Sequence, residues 1–119
     1  MGTLTKEQVL SRKPQVAKVS LPGDACVYIR SMTGNQRDTL EARFSNGTKG
    51  YAGVRAQIGV WCICDEGGTR MFADSDIKAL GKLDSAFMNA VFQKATDMSG
   101  IRDGAVEELA GNSPAAQSD

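Results

Sequence analysis

The tetrapeptide Leu21-Pro22-Gly23-Asp24 constrains this chain most, because it joins two runs of strand composition. Pro and Gly followed by Asp mark a tight turn. Before it, residues 15–20 are rich in Val and Ala with interleaved Lys. After it, Cys26-Val27-Tyr28-Ile29-Arg30 is β-branched and aromatic, as strands prefer. Two short strands about a turn make an antiparallel hairpin. A lone hairpin is marginal in water and needs a helix to bury its apolar face. The rest of the chain must therefore supply helices. The expected fold is α+β: an N-terminal antiparallel β-hairpin packed on a small bundle of about four to six helices.

Helix starts are marked along the chain. Thr5-Lys6-Glu7-Gln8 and Thr33-Gly34-Asn35-Gln36 both carry the Thr-x-x-Gln capping pattern. The first predicts a short helix stopped by Pro14. The second predicts a helix with Leu40 and Phe44 on one face, broken by loop residues at 45–50. Over residues 51–64, Tyr51, Val54, Ile58, Trp61 and Cys62 share one stripe of a helical wheel, so the whole stretch reads as helix. Strand alternation fits only residues 58–64, and poorly, because both faces are apolar. Asp65-Glu66-Gly67-Gly68 then ends the helix, and Thr69-Arg70-Met71-Phe72 reads as a short extended piece.

Asp74-Ser75-Asp76 starts a short helix closed by Gly81, and Asp84-Ser85 caps a longer one over residues 85–98. On that helix Phe87, Val91, Ala95 and Met98 form the expected core stripe. Met88 and Phe92 widen the apolar arc beyond the roughly 100° of a surface helix. Two readings stand: a helix simply deeply packed, which is the favoured one, or a partner-binding edge at Met88 and Phe92, since Met and Phe suit an adaptable helix-binding groove. A last short helix is expected at 105–109, making residues 1–110 one domain. Residues 111–119, from Gly111 and Asn112 onward, lack any large apolar side chain and read as a disordered tail.

Chemistry is scarce in this composition. Fourteen basic and fourteen acidic residues cancel, so no net field draws the chain to nucleic acid or an anionic membrane. No apolar run approaches the ~20 residues of a membrane span. The scattered apolar residues of MGTLTKEQVLSRKP read as no secretory signal. A soluble cytoplasmic protein is expected.

Histidine, the commonest general base, is absent. Cys26, Cys62 and Cys64, with Asp65 as a weak fourth ligand, make a poor zinc set, and Cys-x-Cys is not the usual redox spacing. The cysteines read as small buried hydrophobes. The acidic stretch DEGGTRMFADSD fails as a calcium loop because Arg70 falls where the sharp turn needs glycine. No metal and no cofactor are expected. Elimination favours a binding or assembly module over an enzyme.

After a two-strand start, the ordered stretches VYIRSMTGNQRDTLEARF and WCICDEGGTRMFADSDIKALGKLDSAFMNAVFQKATDMSGI resemble the tail assembly chaperones of long-tailed, non-contractile bacteriophages. The resemblance rests on Val27-Tyr28-Ile29-Arg30, Thr33-Gly34, Arg37-Asp38, Cys64-Asp65-Glu66, Gly68, Arg70, Phe72 and Leu80-Gly81. It covers most of the chain, residues 15–112. It implies no catalysis. It implies binding to the tape measure protein, a long helical chain that sets tail length, keeping it soluble and helping to recruit tail tube protein. The chaperone would act in the host cell cytoplasm, without nucleic acid or membrane, and be absent from the finished virion. Self-association is left open.

The resemblance also implies a minus-one ribosomal frameshift near the end of the frame. Ala110-Gly111-Asn112 permits a slippery site at Gly111 and Asn112, giving a longer product that recruits the tube protein. Two alternatives stand beside this reading. One is a small DNA-binding regulator, against which the neutral charge speaks. The other is a small enzyme gathering scattered carboxylates into a pocket.

Overall fold

The computed structural model of the chain describes residues 2–45 and 53–100. Tyr51, most of the expected loop at 45–50, the helix expected at 105–109, and the tail with Gly111 and Asn112 lie outside these residues.

The chain opens with a five-residue helix, α1 (Lys6–Leu10). Its capping box is formed: the Gln8 N–H donates to Thr5 Oγ1 at 3.2 Å and the Thr5 N–H to Gln8 Oε1 at 2.9 Å. It ends at Leu10, ahead of Pro14, and buries no side chain. Strands β1 (Val16–Leu21) and β2 (Ala25–Arg30) follow as the expected antiparallel hairpin, in a register that sets Val19 opposite Val27. The turn uses Gly23 at φ 80° and Asp24 at φ 58°, the left-handed region that glycine enters freely and Asp tolerates. Helix α2 (Gly34–Phe44) starts from the second capping box and buries Leu40 and Phe44.

Helix α3 (Val54–Cys62) is almost wholly buried. The expected helix over 51–64 stops short at Cys62, and Ile63 turns to an extended backbone at φ −69°, ψ 125°. Ile63–Cys64 form a short strand, β3, antiparallel to β2 with Ile29 opposite Ile63 and Tyr28 opposite Cys64. The hairpin is thus two strands of a three-stranded sheet of order β1-β2-β3. Both faces of β3 are apolar because both are covered, so its pattern does not alternate.

Asp74–Asp76 make a 3-10 turn leading into α4 (Ile77–Gly81). The long helix α5 (Ser85–Met98) starts where Asp84 accepts from the Phe87 N–H at 3.1 Å. It packs across α3 and against β1 and β2. Its buried face is Met88, Val91, Phe92 and Ala95, with Phe87 and Met98 half-buried at the flanks. The core stripe is therefore rotated from the expected one toward Met88 and Phe92. At the α3 crossing, a Cβ on Gly59 would lie 3.2 Å from Leu80 and 3.3 Å from Met88. Glycine lets the helices meet there.

Candidate functional site

The two ends of α3 carry most of the residues singled out in the sequence. At its C-terminal end the last carbonyls have no partner within the helix. Two arginines supply partners. Arg30 Nε, from β2, donates to the Trp61 carbonyl at 3.2 Å, and its Nη1 to the Gly68 carbonyl at 3.3 Å. Arg70 Nε donates to the Val60 carbonyl at 3.0 Å while its Nη2 pairs with Asp74 at 2.9 Å. Two cations thus sit at the negative end of the helix dipole, each interaction worth roughly 0.3–1 kcal/mol, more where partly buried.

The turn that returns the chain from β3 to Arg70 is closed by Asp65. Its Oδ1 accepts from the Gly67 N–H at 2.9 Å and the Thr69 N–H at 3.0 Å. Gly68 takes φ 91°, and its N–H donates to the Asp65 carbonyl. Cys64 and Arg70 then face each other in an antiparallel bridge; of the extended piece expected at 69–72, Arg70 alone pairs in this way. Arg37 does a similar job at the end of α5, donating to the Ser99 carbonyl at 2.9 Å while paired with Glu41.

Cys62 and Cys64 are fully buried and Cys26 is exposed on β2. Burial pushes the Cys62 thiol up to about 12, against an opposing pull from Arg30. Burial also raises Cys64. Neither thiol is poised as a nucleophile. Among the described residues no three His, Cys, Asp or Glu side chains are placed to hold a metal ion. Within them, too, no helix is long and apolar enough to cross a membrane.

Among the described residues, the N-terminal end of α3 is open. Gly53, at φ 71°, takes the cap position, and the first turn borders a groove of about 240 Å³. Val54, Arg55 and Ala56 from α3, Gly81 and Leu83 from the end of α4 and the turn after it, and Ser85 and Met88 from α5 line it. Such a volume is small for a ligand pocket, which usually exceeds about 300 Å³, and suits one or two protruding side chains. Leu83 stands at its rim with 46% of its surface exposed.

Met88 and Phe92 do not form an exposed edge. They are 4% and 3% exposed, inside the core cluster. Only Met88 reaches the groove, as part of its lining. Phe92 lies beneath Arg55, whose guanidinium carbon is 4.8 Å from the ring centroid. The residues the sequence reading passed over are Leu83 and Arg55. A leucine set between the closing Gly81 and the capping Asp84 has no helix of its own to bury it, and that is the signal.

The model of the phage tail assembly chaperone family matches residues 3–99. The chain belongs to that family. No curated protein and no solved structure matches it. Membership of a chaperone family implies a non-enzymatic role. Several of the residues on which the resemblance rests build the fold. Arg30 and Arg70 close α3, Arg37 closes α5, Thr33 caps α2, and Asp65 and Gly68 shape the turn.

Proposed function

We propose that this tail assembly chaperone binds the tape measure protein by taking the apolar face of one of its helices into the groove at the start of α3. The observation that carries the reading is the exposed Leu83 at the rim of a groove lined by Val54 and Met88, in a chain of this family. A long amphipathic helix cannot bury its own apolar face and aggregates unless covered. Protruding Leu, Ile or Met side chains at i and i+4 would enter the groove, as in other helix-in-groove recognition. Covering the exposed half of Leu83 contributes about 1 kcal/mol. One chaperone therefore binds weakly, and many copies along a long chain protect it while remaining displaceable by tube protein. Met88 acts from the floor of the groove; Phe92 acts through Arg55, which it supports.

Recruitment of the tail tube protein is assigned to a longer product made by a frameshift at Gly111 and Asn112, in the host cytoplasm. Peptide mass spectrometry of the native gene expressed with its downstream DNA checks this. A junction at Gly111-Asn112 is expected; a single product from an intact downstream frame removes it.

The binding test is co-expression with the tape measure protein of the same phage, followed by pull-down. Leu83→Asp is expected to leave the tape measure protein insoluble while the chaperone keeps its thermal transition. Undiminished solubility and capture with Leu83→Asp would place the binding surface elsewhere.

A further inference from the structure

The free edge of β1 is a second, distinct surface. Among the described residues, in the order β1-β2-β3, β1 has a neighbour on one side only. The Ser31 N–H donates to the Gln15 carbonyl at 2.9 Å, which makes Gln15 and Ser31 a hydrogen-bonded pair at the end of the β1–β2 register. Antiparallel pairing alternates, so Ala17, Val19 and Leu21 bond inward to β2. The N–H and C=O groups of Val16, Lys18 and Ser20 therefore point outward, and all three residues are exposed.

Beside this edge, between β1 and α5, runs an open groove of about 480 Å³ lined by Lys18, Val19, Ala90, Gln93, Lys94 and Asp97. It brings two ammonium groups against one carboxylate. The ion pairs among the described residues are Arg37–Glu41 and Arg70–Asp74, so Lys18, Lys94 and Asp97 form none there.

We propose that the β1 edge and this groove dock an extended acidic polypeptide strand, which adds to the sheet as a fourth strand. Backbone pairing with Val16, Lys18 and Ser20 supplies the attachment, as in β-strand addition. Carboxylates facing Lys18 or Lys94 supply the selection. A lysine in the middle of an edge strand ordinarily guards against indiscriminate pairing. Here it also disfavours a second copy of this chain: full antiparallel overlap of two β1 edges sets Lys18 directly opposite Lys18. The same guard favours a strand bearing the opposite charge. This surface lies apart from the α3 groove, so its test succeeds or fails independently of the tape-measure reading.

The test uses the full chain, isotope-labelled, titrated with the peptide acetyl-Thr-Glu-Val-Glu-Val-Thr-amide and with its counterpart carrying Lys for Glu. The acidic peptide is expected to shift the amide signals of Val16, Lys18, Ser20, Gln93 and Lys94, less so at high salt; the basic peptide is expected to leave them unchanged. Lys18→Pro removes both an outward N–H and the Lys18 ammonium while leaving the inward bonds to β2, and should abolish the response with the β1–β2 ladder intact. Should that variant not fold, Lys94→Glu, away from the ladder, decides: binding about fivefold weaker is expected. Three results would overturn the proposal: silence of these amides with the acidic peptide, equal shifts with both peptides, or shifts that track protein concentration without peptide.

Discussion

The two ends of α3 are finished in opposite ways. Its C-terminal carbonyls are held by Arg30 and Arg70, its chain continues into the sheet as β3, and the turn beyond is pinned by Asp65. Its N-terminal end is capped by a glycine and borders an open groove with Leu83 at the rim. One end spends its polar groups on internal bonds. The other leaves Leu83 half-exposed beside that groove, and the proposed binding site rests on this contrast.

Breaking the buried side of the comparison should have the largest effect. Met88→Asp with Phe92→Ser puts a carboxylate and a void into the core, costing about 4 kcal/mol or more, and should abolish the cooperative thermal transition. Next come Arg30→Ala and Arg70→Ala. Each frees a carbonyl at the same helix end and is expected to cost about 1–3 kcal/mol in denaturant melts. Because they serve one helix end, the double variant should depart from additivity; simple additivity would mean that the two arginines act independently.

A smaller effect is expected of Gly68→Ala. An alanine at φ 91° is strained, and its Cβ would sit 3.1 Å from Val16 Cγ2, for a loss of about 1–2 kcal/mol. The cysteines sharpen the same contrast through pH. Above pH 9 an unfolded Cys62 loses its proton while the folded one keeps it to about 12. The native state then binds more protons, and stability falls across that window by up to about 1.4 kcal/mol per pH unit. With a thiol reagent at neutral pH, Cys26 should react fast, and Cys62 and Cys64 only on unfolding. At the open end, Leu83→Asp should change stability by no more than about 0.5 kcal/mol while abolishing capture of the tape measure protein.

Local signals were legible in the sequence, and long-range ones were not. Both Thr-x-x-Gln boxes, the turn at Gly23 and Asp24, and the Asp84 cap rest on neighbours within a few residues, and each formed as read. Strand β3 escaped because its partner, β2, is far away in sequence, and because a strand covered on both faces lacks alternation. The bonds of Arg30 span 31 and 38 residues, so nothing adjacent announces them. Met88 and Phe92 were placed on the apolar arc of α5, but an arc does not say which part is covered. Packing against both α3 and the sheet buries it more broadly than a surface helix requires.

The most direct test places a photo-crosslinking residue at either end of α3. Substituted at Leu83, beside the open groove, it should join the chaperone to the tape measure protein. Substituted at Thr69, exposed on the turn beyond the closed end, it should not. Crosslinks from position 69 with none from position 83 would contradict the assignment of binding to the open end.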